Sequence, residues 1–200
     1  MNKPKILAFA GSTRTDSLNK KLARAAAAIA GEAGAEVTFV DLRDLALPLY
    51  DGDLEEASGL PEGARKLKAL LRASDGFLIA SPEYNSSVTA VLKNALDWAS
   101  RAETDDEPPL AAFRGKAAAL LSASPGALGG LRGLVHLRAI LGNMTRLCPS
   151  RVWLVWTSFL WLLAMAPQAR AQQPHGKPAL APPASAICDS ANPGASGSPS

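Results

Sequence analysis

Four short apolar runs, at 6–10, 37–40, 76–80 and 117–122, alternate with stretches of helical spacing, and this alternation restricts the fold more than any other feature. The runs are nearly continuously apolar, as expected of strands covered on both faces. Between them, Leu18, Leu22, Ala25 and Ile29 step by four, three and four, which predicts one buried helix face. Ala64, Leu67 and Leu71 repeat the pattern, followed by Val88, Leu92, Ala95 and Ala99, then Leu128, Leu131, Val135 and Leu141. Asp16 or Ser17 is placed to cap the first helix and Pro61 to open the second. Strict alternation of strand and helix requires parallel strands joined by right-handed crossovers. The expected class is α/β, a doubly wound parallel sheet of about five strands, with the fifth drawn from 146–155.

Charge removes several functions from consideration. Residues 1–143 carry 17 Lys and Arg against 17 Asp and Glu, so the net charge of +3 arises entirely beyond them and no basic face invites nucleic acid. Cys148 and Cys188 lie 40 positions apart, which excludes a disulfide scaffold, a CxxC redox pair and a zinc cluster. With only His136 and His175 available, no metal site is expected. The apolar run after Lys5 has five residues, too short for a secretory core, so a cytoplasmic setting is expected.

The chain changes character near its C-terminus. A domain over 1–155 is followed by an apolar segment at 156–166, and three of the four tryptophans (Trp153, Trp156, Trp161) cluster where these meet. In 167–200, 23 of 34 residues are Pro, Ala, Gly or Ser, a composition that predicts disorder. Three readings of 144–173 stand side by side. It is a buried strand and helix of the domain, a sequence foreign to it (from a reading-frame change or a fusion), or a membrane anchor, since the charge-free stretch Val152–Ala169 is 18 residues long.

The loop after the first strand reads Gly11-Ser12-Thr13-Arg14-Thr15-Asp16-Ser17-Leu18-Asn19. In a parallel sheet it lies at the carboxyl edge, where the next helix presents free N–H groups and the positive end of its dipole. Gly11 lets the backbone turn, the hydroxyls add donors, and Arg14 adds a forked cation. GxxxxGK(S/T) and GxGxxG are both absent from this loop, so neither a nucleoside triphosphate loop nor a dinucleotide fingerprint is present. The remaining readings are a site for a terminal phosphate monoester and a plain polar loop with a helix cap. The loop after the third strand, Ser81-Pro82-Glu83-Tyr84-Asn85-Ser86-Ser87, lies beside it and offers a flat ring and an amide. Its helix contains Leu92-Lys93-Asn94-Ala95-Leu96-Asp97-Trp98, where Lys93 and Asp97 are spaced to pair and Trp98 reads as core or subunit interface. After the fourth strand comes Ser122-Ala123-Ser124-Pro125-Gly126-Ala127-Leu128-Gly129-Gly130.

A GSxRxxSxN-like first loop, an SPEYNxS second loop and an LKNALDW helix, each after an apolar strand and followed by the third signature, resemble the NADPH-dependent FMN reductase family over roughly residues 4–150. The resemblance implies a flavodoxin-like fold with strand order 2-1-3-4-5 and the cofactors FMN and NADPH. It places Ser12, Arg14, Ser17 and Asn19, with Gly11 and Leu18 beside them, around the FMN phosphate. Pro82, Glu83, Tyr84 and Asn85 would hold the pyrimidine side, largely through backbone groups, and Ser124, Pro125, Gly126 and Gly129 the third wall. It implies hydride transfer from NADPH through flavin N5 to a small acceptor (quinone, azo compound, free flavin or metal oxyanion), with no catalytic side chain and no metal. It also implies a homodimer or homotetramer. A non-enzymatic flavodoxin-like electron carrier is the first alternative, against which the balanced charge of 1–143 argues. A disabled or membrane-tethered domain is the second, because family members continue past the fifth strand into an amphipathic helix and this chain does not.

Overall fold

The computed structural model describes residues 2–145 and 152–156. The apolar segment beyond Trp156, the tail 167–200 and all of the membrane-anchor stretch except Val152–Trp156 lie outside the described residues. Along the chain come β1 (Lys5–Ala10), α1 (Leu18–Glu32), β2 (Glu36–Val40), a 3-10 turn (Leu42–Leu45), α2 (Gly52–Ser58), α3 (Glu62–Ala73), β3 (Gly76–Ala80), α4 (Ala90–Ala99), β4 (Ala117–Ser122), α5 (Leu131–Thr145) and β5 (Val152–Trp156). The sheet is parallel with order β2-β1-β3-β4-β5. This is the expected doubly wound architecture. The short helix α2 and the 3-10 turn were not anticipated. Both begin at an aspartate whose carboxylate accepts a backbone N–H, Asp41 from Arg43 and Asp51 from Asp53. Among the described residues no helix is long and apolar enough to cross a membrane.

Alternation along the strands divides the core. Leu7, Phe9, Phe77, Ile79, Ala118 and Leu120 face a large cluster with α3, α4 and α5. Ala10, Ala80 and Leu121 face a smaller one with Ala23 of α1. The predicted faces of α3 and α4 are the buried ones: Ala64, Leu67, Leu71, Leu92, Ala95 and Ala99. Those of α1 and α5 are buried only in part, at Leu22 and Leu141. Leu18 and Ile29 are 43% and 65% exposed, and α1 instead buries Asn19, Lys20 and Ala23. Small alanines on helix and sheet let the two approach closely, and Lys20 is accommodated by an ion pair to Asp41 at 2.7 Å. Leu128, just before α5, and Val135 on it are exposed, whereas Leu134, Leu137 and Leu141 are fully buried.

A buried ion pair closes the α3 side. Lys68 Nζ lies 2.6 Å from Glu107 Oε2 and also donates to the Arg101 carbonyl. Burial pushes the Glu107 carboxyl up, but Lys68 and the Glu103 N–H pull it further down, so it sits below its ordinary value. A carboxylate depressed in the folded state stabilises the fold above its unfolded pKa of about 4.3, and that contribution disappears as pH falls through the folded value. The urea midpoint is therefore expected to drop below about pH 4.3, and Glu107→Gln should make that acid limb shallower. A limb of unchanged steepness would show that Glu107 is not among the groups responsible.

Candidate functional site

The order of strands reverses between β1 and β3, so the loops leaving them diverge and open a crevice at the carboxyl edge. Three short segments wall it.

The first follows β1. The Gly11 N–H donates to the Ala80 carbonyl at 2.9 Å, and the Gly11 carbonyl accepts from Thr89 Oγ1 at 2.6 Å. A Cβ on Gly11 would lie 2.8 Å from Leu92 Cβ. Glycine is needed here for close contact with α4, whereas the sequence suggested a turning role. Ser12 Oγ accepts from the Arg14 N–H, and Ser17 caps α1 by accepting from Lys20. The N–H groups of Leu18 and Asn19, first in the helix, have no carbonyl to bond within it. Arg14 is exposed, and its guanidinium has no protein partner among the described residues.

Asn19 lines the cleft and also has a structural role. Its Nδ2 donates to the Ala123 carbonyl at 2.9 Å and its Oδ1 accepts from the Ala123 N–H at 3.0 Å. The amide is 3% exposed and joins the first wall to the third.

The second wall follows β3. Tyr84 and Ser87 exchange two backbone hydrogen bonds of 3.0 Å, with Asn85 and Ser86 between them at φ 49° and 64°. Two successive left-handed residues are what a two-residue type I′ turn requires, and asparagine tolerates that region well. Pro82, Glu83 and Tyr84 line the cleft, and Asn85 is the first residue of the turn that follows. Glu83 is no solvated loop acid. Its carboxylate accepts from Arg132 and from the Gly133 N–H at the start of α5. Burial raises its pKa, but these donors outweigh that and hold the carboxyl below its ordinary range.

The third wall is Ala123, Ser124 and Pro125. Gly126 and Gly129 form the turn beyond it, joined by a 2.9 Å backbone bond, and are not part of the lining. The most constrained glycine of this segment is Gly130, at φ 89°, where a Cβ would come 2.8 Å from Ser122 Cβ. His136 is exposed, with Nδ1 2.9 Å from Ser87 Oγ.

Together the walls bound an open cleft with about 500 Å3 of empty space. Its first wall brings hydroxyls, free helix N–H groups and Arg14, which has no partner among the described residues, a set suited to a phosphate. Pro82, Tyr84 and Pro125 supply flat apolar surface for a ring system. The donor set fits FMN. Among the described residues no group of three or more His, Cys, Asp or Glu is arranged to hold a metal ion. Sequence reasoning missed Arg132, Ala123 and Thr89. Only Thr89 carried a local signal, as a helix-cap residue three positions before Leu92.

The sequence profile of the NADPH-dependent FMN reductase family matches residues 4–159. A rice (Oryza sativa subsp. japonica) protein named as an NADPH:quinone oxidoreductase is 42% identical over 138 residues, which cover 68% of this chain and 63% of the relative. The chain thus spans less than two thirds of that relative's length. A 2-hydroxy-1,4-benzoquinone reductase from Burkholderia sp is 43% identical over 136 residues, covering 68% of this chain and 69% of the relative. In three dimensions the fold is similar to FerB, a flavoenzyme NAD(P)H:(acceptor) oxidoreductase from Paracoccus denitrificans, with TM-score 0.60 and 30% identity over 76% of this chain and 75% of that one.

Proposed function

The chain belongs to the NADPH-dependent FMN reductase family, and from that premise we propose that it is an FMN-dependent NAD(P)H oxidoreductase whose acceptor is a small oxidant of the quinone class. The observation that carries this reading is the convergence of three walls on one cleft that holds both a cation without a partner among the described residues, Arg14, and the flat apolar surface of Pro82, Tyr84 and Pro125.

When bound, FMN would supply the redox chemistry of hydride transfer. The chain's part is to bind and orient. Arg14, the hydroxyls of Ser12 and Ser17, and the first N–H groups of α1 hold the phosphate. Backbone groups of Pro82–Asn85 meet the pyrimidine edge, and Ser124 and Pro125 close the third side. Donors preset in this way stabilise charge without reorganising when it develops. No acid or base is asked of the cleft. Glu83, the carboxylate that lines it, is already engaged with Arg132 and Gly133. An open mouth suits acceptors of different shapes, and the named quinone substrate of the Burkholderia relative supports quinones first.

Self-association belongs to the same reading. Asn94 grips the backbone on both sides of Leu49 through the Pro48 carbonyl and the Tyr50 N–H, leaving Leu49 77% exposed on a rigid support. Its neighbour Tyr50 is also exposed, and we take this apolar pair as the surface that a second copy of the chain would cover.

Purified protein reconstituted with FMN is expected to retain the flavin through desalting and to oxidise NADPH in steady state when a benzoquinone is added. Retained flavin without NADPH oxidation would favour an electron carrier. Failure to retain flavin would remove the cleft assignment. Light scattering on the same sample reads the oligomer, and a monomer's mass would refute self-association.

A further inference from the structure

Arg132 is not part of the cleft lining, yet it holds the one carboxylate that is. Glu83 Oε1 accepts from Arg132 Nε at 2.9 Å and lies 2.7 Å from Nη2, while Oε2 accepts from the Gly133 N–H at 3.0 Å. Both oxygens are therefore engaged by the first turn of α5. The side chain of Glu83 is 8% exposed and that of Arg132 is 56% exposed, so a nearly buried anion is neutralised from the solvent side. Close approach depends on Gly133, where a Cβ would lie 3.3 Å from Glu83 Cβ and 3.2 Å from the Ser87 carbonyl oxygen. One turn further along α5, His136 meets Ser87. The segment Glu83–Ser87 is thus fastened to α5 at both ends, with the left-handed pair Asn85 and Ser86 between.

We propose that Arg132 is a positioning residue for FMN: by neutralising Glu83 and tying it to α5, it presets the Pro82–Asn85 wall and keeps a bare carboxylate from facing the pyrimidine edge. This rests on the reading of the cleft as the FMN site. Removing the guanidinium leaves Glu83, nearly buried at the cleft wall, with one backbone donor and an unbalanced charge. That charge opposes the flavin carbonyls, and opposes them more when the cofactor gains electrons.

In Arg132→Ala the FMN dissociation constant is expected to rise about tenfold, as for loss of one charge-assisted contact. The preference for reduced over oxidised FMN should fall by a similar factor, which for a two-electron couple is about 30 mV in the midpoint potential. Arg132→Lys keeps the charge without the fork, so the potential should hold while affinity falls part of the way. The double variant Arg132→Ala with Glu83→Gln removes both charges and should bring the potential back to that of the unaltered protein. A purely structural role would lower the melting temperature and leave the potential unmoved. Unchanged affinity and potential in Arg132→Ala, or no recovery in the double variant, would overturn the proposal. Absence of FMN binding by the unaltered protein would instead overturn the cleft assignment on which it stands.

Discussion

Substitution of Arg14 by alanine is expected to weaken FMN binding about 10- to 100-fold while leaving the free energy of unfolding within about 0.5 kcal/mol of the parent. The two halves of this expectation share a cause. Arg14 is exposed and has no protein partner among the described residues, so the fold gains nothing from its guanidinium that the mutation would remove. A phosphate at the head of α1 would engage it through charge-assisted hydrogen bonds of about 1.5–3 kcal/mol, and 1.4 kcal/mol corresponds to about a factor of ten. Riboflavin, which lacks the phosphate, separates this contact from the ring contacts. Fluorescence titration should find riboflavin affinity equal in Arg14→Ala and the parent. The FMN difference should shrink at high ionic strength, because the cation stands in solvent. Equal FMN affinity in the two proteins, or an equal loss for riboflavin, would place the phosphate elsewhere.

The strands were legible because helices cover both faces of a parallel sheet, which leaves continuous apolar runs. The runs at 76–80 and 117–122 coincide with β3 and β4. Helix faces were legible only where large apolar residues do the packing. On α1 the contact is made by alanines and by two polar residues, Asn19 and Lys20, each buried through one specific partner, so hydrophobic spacing pointed to Leu18 and Ile29 instead. On α5 two leucine-bearing stripes satisfy the same period. The one containing Leu134, Leu137 and Leu141 faces the sheet, and that same orientation brings Gly130 and Gly133 against the ends of β4 and the second wall.

The cleft was legible to a similar extent. That polar loops follow β1, β3 and β4 is local information, and the topology brings Ser12, Arg14, Pro82, Tyr84, Ser124 and Pro125 to one cleft. What each buried polar side chain does there is not local. Glu83 finds its partners 49 and 50 positions away and Asn19 finds its own 104 positions away, distances over which no spacing rule operates.

Asn19→Ala is expected to have the largest effect on stability, about 2–5 kcal/mol, because it strands a buried N–H and a buried carbonyl together at about 1–3 kcal/mol each. The molecule contains its own control. Asn94 makes the same paired contact to backbone, accepting from the Tyr50 N–H at 2.7 Å and donating to the Pro48 carbonyl at 2.8 Å, but in an exposed setting. In Asn94→Ala water replaces the lost partners, and the cost should stay near about 1 kcal/mol. The hydrogen bonds removed are alike in number and kind, but the Pro48 carbonyl keeps the Trp98 indole N–H as a donor, so the difference between the two variants reflects burial together with that retained partner. Asn19→Ala should also weaken FMN binding, because the loop after β4 is then held to α1 only by apolar contact and the third wall loses its fixed distance from the first. Asn94→Ala, remote from that joint, should bind FMN as the parent does. Urea titration and FMN titration of the pair test both statements. Equal destabilisation would mean that water reaches Ala123 once the amide is gone, and that the first and third walls are held in place by the strands beneath them and not by Asn19.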